Sequence, residues 1–316
     1  MTTTGLVYDD IFLQHDTGAH PESPARLRAI RDRLIRVGLW DKLYHVPVRP
    51  ATLAELTAVH SRKYVQEIED LCKGGGGVID ADTVLSKHSY EAAVKAVGGC
   101  IEAAAAIMAG TIKNAFCAVR PPGHHAVFNA AMGFCVFNNV ALIAKYLQQH
   151  AGIEKILIVD WDIHHGNATQ ETFYDDPDVF FFSIHGFPMF PGTGKHTERG
   201  IGAGSAHTLN VPIPPGADRE EYMSTFRATM QDIRRRFTPD FILIDAGFDT
   251  YKDDPVGGLG LELADFVTLT EDVMAFAGDA CDGRIISVLE GGYHLTGLAL
   301  AVEAHLRLLS GILSSS

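Results

Sequence analysis

The chain has 316 residues, 47% of them hydrophobic and 21% charged, which supplies a full apolar core and excludes an intrinsically disordered protein. Lys and Arg number 26 against 39 Asp and Glu, a net charge of −13, which argues against binding nucleic-acid phosphates and admits cationic substrates. The five cysteines (Cys72, Cys100, Cys117, Cys135 and Cys281) form no CxxC pair, Met1 to Gly5 lacks a secretory signal, and no apolar run is long enough to span a membrane, so a cytoplasmic protein with reduced thiols is expected.

In chain order, residues 6–8 are a short strand candidate and residues 25–37 an amphipathic helix, with Ser23 as N-cap and Pro24 in the first turn. Residues 43–48 read as a second strand, and 53–59 and 61–71 as short helices. Residues 74–77 are four glycines, read as a flexible loop; without a following Lys-Ser/Thr they are no phosphate cradle. Residues 90–109 form an alanine-rich helix. After it, strands at 115–119, 155–160, 179–184, 241–245 and 284–289 are expected, with a short extended piece at 208–211. Helices at 139–150, 220–237, 263–277 and 295–309 fall between or after them. This alternation predicts one domain over 1–316 with a parallel sheet covered by helices on both faces.

The polar clusters at 120–125, 160–167, 185–194, 245–251 and 290–293 each follow a predicted strand, at the sheet edge where ligand sites collect. In the second cluster, Ile156-Leu157-Ile158-Val159 runs into Asp160-Trp161-Asp162-Ile163-His164-His165-Gly166-Asn167. Alternate side chains on a strand share a face, so Asp160, Asp162 and His164 converge while His165 points away. Clustered buried carboxylates and an imidazole require neutralisation, by a metal or by salt bridges. Asp249, in Asp245-Ala246-Gly247-Phe248-Asp249, is the third ligand candidate beside Asp162 and His164, and two carboxylates with one imidazole leave an open position on Zn²⁺, Fe²⁺ or Co²⁺.

His124-His125, behind Pro121-Pro122-Gly123, suits general acid–base chemistry, with Asp160 and Asn167 as partners for the second ring nitrogens; a buried structural pair is the plain alternative. Tyr293, in Glu290-Gly291-Gly292-Tyr293, could stabilise an oxyanion or pack as a core tyrosine. Phe134 and Phe190 could line a narrow channel, with Gly133 and Gly292, or serve as ordinary core.

Arg120-Pro121-Pro122-Gly123-His124-His125-Ala126, Gly133-Phe134-Cys135, Asp160 to Asn167, Phe190-Pro191-Gly192-Thr193-Gly194, Ala246-Gly247-Phe248-Asp249 and Glu290-Gly291-Gly292-Tyr293 occur in that order. Across nearly the whole chain this resembles the zinc-dependent histone deacetylase and acetylpolyamine amidohydrolase superfamily, on its class II-like, bacterial-type side. The resemblance implies a three-layer arginase/deacetylase-like α/β fold with a central eight-stranded parallel sheet. It implies one Zn²⁺ on Asp162, His164 and Asp249, His125 as general base and acid, His124 as its electrostatic partner, Tyr293 as oxyanion donor, and Asp160 and Asn167 as orienting groups. It also implies a structural K⁺ near Asp160, Asp162, His164, Ser183 and Ile184, and a second near Phe173, Asp176, Val179 and His207. Asp80 or Asp82 would be the acidic rim residue. Arginases share the fold but need a second metal, and Gly166 and Tyr251 stand where its ligands would be.

The activity expected is hydrolysis of acetyl or longer acyl groups from N-acylated amines. Acyl-lysine and acetylpolyamines both remain as substrates, a silent acyl-lysine binding protein is the rival class, and a homo-oligomer is open.

Overall fold

The computed structural model describes residues 3–312. In chain order the elements are β1 (Thr4–Val7), α1 (Pro24–Arg36), β2 (Tyr44–His45), α2 (Leu53–Leu56), α3 (Arg62–Lys73), β3 (Gly76–Val78), β4 (Val84–Ser86), α4 (Ser89–Met108), β5 (Asn114–Cys117) and α5 (Asn139–His150). There follow β6 (Ile156–Asp160), α6 (Asn167–Thr172), β7 (Val179–Gly186), β8 (Thr208–Ile213), α7 (Arg219–Arg236), β9 (Phe241–Ala246), α8 (Leu263–Ala280), β10 (Ile285–Leu289) and α9 (Leu295–Ser310). Among the described residues, eight strands form one sheet in the order β2-β1-β5-β10-β9-β6-β7-β8, every pair parallel.

The central strands are apolar runs because both sheet faces are covered. Every residue of β5, β6, β7, β9 and β10 is buried. Phe180, Phe181 and Phe182 point alternately to the two faces, and burying each contributes about 1.5–3 kcal/mol. Helices α1, α7, α8 and α9 pack on one another in one layer, and α2, α3, α4 and α5 in the other. Their ends follow local chemistry. Asn138 and Asp218 cap α5 and α7 through side-chain oxygens, and α7 carries Glu220 and Glu221 in its first turn and Arg234, Arg235 and Arg236 in its last, as the helix dipole favours.

The expected strand–helix order holds, with four local corrections. Ser23 makes no side-chain cap to α1, where Pro24 removes the first N–H and the Ser23 carbonyl accepts from Arg26. The second strand shrinks to the exposed edge pair Tyr44–His45. Gly76 and Gly77 are not loose, because they pair with Ser86 and Leu85 in an antiparallel hairpin. The short α6, not expected from the sequence, starts at Asn167, the last residue of the motif that begins at Asp160. No helix among the described residues is long and apolar enough to cross a membrane, and all five cysteines are free and buried.

Candidate active site

Strands β5, β10, β9, β6 and β7 are consecutive neighbours in the sheet, so the five loops that leave their C-terminal ends meet above its centre. They enclose a cavity of about 140 Å³. His124, His125, Gly133, Phe134 and Cys135 come from the loop after β5, His164 from that after β6, Phe190 from that after β7, Val256 from that after β9, and Glu290, Gly291 and Tyr293 from that after β10.

Beside the cavity, where His164 reaches it, one ligating atom each of Asp162, His164 and Asp249 lies within 4.8 Å of the others. His164 Nδ1 is 3.1 Å from Asp162 Oδ1 and 3.2 Å from Asp249 Oδ2. The turn after β6 sets this up: the Asp162 N–H donates to Asp160 Oδ1 (3.0 Å) and the His164 N–H to Asp162 Oδ1 (2.9 Å). Burial and the neighbouring Asp162 push the Asp249 carboxyl up to about 7. Burial disfavours charge on His164, but Asp162 and Asp249 outweigh it and raise the imidazole to about 10. The buried Asp249 Oδ2 makes no hydrogen bond. A concentrated negative charge, an orphaned carboxylate oxygen and a hard oxygen–nitrogen donor set fit a divalent cation. Gly291 is required here: a Cβ on it would sit 2.1 Å from Asp249 Oδ2 and 2.6 Å from Asp162 Oδ2, and its N–H donates to Asp162 Oδ2 at 2.7 Å.

The paired histidines are oriented differently. His124 Nδ1–H donates to Asp160 Oδ2 (3.1 Å) and His125 Nδ1–H to Asn167 Oδ1 (2.8 Å), which leaves both Nε2 atoms for the cavity. Burial, with His124 and His164 adding repulsion, holds His125 well below the usual histidine value, so it stays neutral. The rings lie 3.9 Å apart. Gly133, at φ +56°, passes so close that a Cβ there would clash with His125 and Phe190, and Phe134 keeps a strained φ of +68° while lining the cavity. Phe190 stands edge-on to His125 at 5.0 Å.

Burial raises the Tyr293 phenol well above its ordinary range, with Arg26 opposing, so it remains a hydrogen-bond donor. Sequence reasoning missed what holds it. Arg26, fully buried, donates from Nε to the Gly292 carbonyl (2.6 Å) and from Nη2 to the Glu290 carbonyl (2.5 Å), with its guanidinium 4.9 Å from the Tyr293 ring centroid. Arg26 and Arg120 share the buried Glu22 carboxylate. Asp254 Oδ2 accepts from the Tyr293 and His294 N–H groups (2.6 and 3.0 Å), while Oδ1 accepts from Val256 and Gly257 (3.0 and 3.1 Å). The available signal was slight: an Arg within the amphipathic helix of residues 25–37, and the Asp253-Asp254-Pro255 stretch after the fourth polar cluster.

Other expectations divide. His165 does face away, bonded to Thr193 and Gln170. Gly292 does not line the cavity, because its positive φ turns the carbonyl toward Arg26 and Gly291 lines it instead. Of the two rim candidates, Asp82 lines the cavity, whereas Asp80 holds the hairpin turn by accepting from the Asp82 and Thr83 N–H groups. Ser183 and Ile184 are buried on β7, Ser183 beside Asp160 in register. Of the second cation set, Asp176 is already paired with Lys145 at 3.2 Å.

Fold and cavity together define an α/β protein with a His/Asp centre at the base of an aromatic-lined shaft. The sequence profile of the histone deacetylase domain matches residues 20–309. A probable deacetylase of Archaeoglobus fulgidus is 40% identical over 297 residues, covering 93% of this chain and 82% of that protein. Human histone deacetylase 9 is 37% identical over 348 aligned positions, covering 98% of this chain but 34% of that much longer protein. The crystal structure of the HDA15 HD domain superposes with a TM-score of 0.92 at 35% identity, covering 99% of this chain and 90% of that chain. The chain belongs to the histone deacetylase family, and is an amidohydrolase of that family.

Proposed function

We propose that this chain is a divalent-metal deacylase that removes acetyl or longer acyl groups from N-acylated amines such as acyl-lysine. The observation that carries the reading is the convergence of Asp162, His164 and Asp249, with His164 lining the cavity that also presents His125 and Tyr293. Those three residues would hold Zn²⁺ or a similar ion, which supplies Lewis-acid polarisation of an acyl carbonyl and acidifies water.

The protein side follows from the hydrogen bonds. His125, neutral and with Nε2 open, accepts the proton of the attacking water and then gives it to the departing amine. His124, tied to Asp160, is its electrostatic partner, and Asn167 fixes the His125 ring. The Tyr293 O–H donates to the oxygen on which charge develops. Phe134, Phe190 and Gly133, which line the cavity, would wall an unbranched alkyl chain, and Asp82, also in its lining, would take a donor from the substrate beyond it. A structural K⁺ would sit among Asp160, Asp162, His164, Ser183 and Ile184. Asp160 supports this, since burial and Asp162 drive its carboxyl well above the usual range and a nearby cation offsets that.

A turnover panel on the metal-reconstituted protein tests the substrate: acetyl-lysine peptides, longer acyl-lysine peptides and acetylpolyamines. The proposal expects hydrolysis of acyl-lysine. Turnover confined to acetylpolyamines would move the function to small molecules, and no turnover of any would remove the enzymatic reading.

A further inference from the structure

The catalytic triad of ligands does not account for all the donor groups in the cavity. One ligating atom each of His124, Cys135 and Glu290 also lies within 4.8 Å of the others. All three residues line the cavity and are almost fully buried, with exposures of 3%, 1% and 0%. They arrive from two loops, those after β5 and β10. Asp82 and Phe190 mark the open end of the cavity, so this cluster, with Pro122, forms its inner wall.

Each group has an unused coordinating atom. His124 Nδ1 is occupied by Asp160, which leaves Nε2. Glu290 Oε2 accepts from the Gly123 and His124 N–H groups (2.8 and 3.2 Å). Its buried Oε1 accepts from no N–H, and its contact is the Asp245 carboxyl, with which it can share a proton that a bound cation would displace. Cys135 is a free thiol. The outer contacts that a metal ligand needs are therefore present: a carboxylate behind the imidazole, and backbone amides behind the glutamate. Tetrahedral bonds of about 2.0–2.3 Å put ligand atoms roughly 3.5 Å apart, so closure asks for side-chain movements on the order of 1 Å.

We propose that this inner wall is a second metal site, which takes a thiophilic divalent cation such as Zn²⁺ or Cd²⁺ on His124, Cys135 and Glu290, and that filling it inhibits the enzyme. Thiolate, imidazole and carboxylate together select zinc and its heavier congeners over Mg²⁺ or Ca²⁺. Binding takes Cys135 as thiolate with its proton released to solvent. The bound ion occupies the wall against which an acyl group would rest and withdraws His124 Nε2 from the histidine pair. The catalytic ligands carry no sulfur, so the two sites are distinguishable by spectroscopy.

The test starts from protein loaded with one equivalent of Zn²⁺ and adds Cd²⁺. Two quantities are read: ultraviolet thiolate-to-cadmium charge-transfer absorption, and turnover. The absorption tests the site whether or not the deacylase reading holds. The proposal expects both signals to saturate together at one added equivalent. Cys135→Ser and Cys135→Ala should each lose the absorption and need roughly tenfold to a hundredfold more Cd²⁺ for half-inhibition, relative to their own Zn-loaded activity without Cd²⁺. Glu290→Gln should weaken both signals. Thermal melts of the two Cys135 variants establish that they fold. Absence of the absorption in the parent protein, or its survival in the Cys135 variants, would overturn the site. Saturating absorption without loss of turnover would overturn the inhibitory role.

Discussion

At the scale of single residues, the proposed function divides proton transfer and oxyanion stabilisation between two groups of the cavity. His125 is neutral because it is buried and faces His124 and His164, and Tyr293 keeps its proton because it is buried. Tyr293→Phe is expected to bind metal normally and to lower kcat by roughly 10²–10³, as loss of one oxyanion donor does; metal analysis and steady-state kinetics on the same preparation check this. His125→Ala should abolish turnover more completely than His124→Ala, and the reverse order would exchange their roles. The sign of the pH dependence follows. A base with a lowered pKa loses activity only when pH falls below the ordinary histidine value of 6.5, so kcat/KM should hold through that value and decline at lower pH. A pH–rate profile breaking above 6.5 on the acid side would contradict the assignment. These residues were legible in the sequence because their chemistry needs adjacent or alternating positions. Arg26, Glu22 and Asp254 were not, because their partners lie far along the chain: Arg26 holds the carbonyls of residues 290 and 292, more than 260 positions away, Glu22 the side chain of Arg120, and Asp254 the N–H of Tyr293.

At the scale of elements, the strand–helix alternation and most strand centres were readable from apolar runs. The adjacency of β5, β10, β9, β6 and β7 was not, since strand order depends on helix packing and not on any local pattern. Two loop-to-element contacts carry predictions. Asp254 binds the turn after β10 to the loop after β9, so Asp254→Ala should misplace Tyr293; kcat should drop on the order of 10²-fold with a smaller change in KM, and Asp254→Asn, which keeps one acceptor oxygen, should recover part of the loss. Glu22 joins α1 to the loop after β5 through Arg120. Burial alone would raise its carboxyl, but the Arg120 charge and the His15 hydrogen bond outweigh that and hold it well below 4.5. Its stabilising contribution is therefore complete above about 4.5 and is lost as pH falls through the depressed value. Glu22→Gln should cost about 3–5 kcal/mol near neutrality and flatten the acid limb of stability, as urea unfolding at several pH values would read.

At the scale of the whole molecule, the sheet is a platform whose five central strand ends bring the proposed ligands, base and phenol together above its centre. Asp162, His164 and Asp249 are the point on which the account depends. The direct measurement is a titration: metal is removed with a chelator, Zn²⁺ is added back in known amounts, and turnover of an acetyl-lysine peptide is followed with bound metal per chain. Activity rising from near zero to a plateau at one ion per chain, with Asp249→Asn failing to recover, is the predicted result. Turnover that survives metal removal, or that needs two ions per chain, would contradict it.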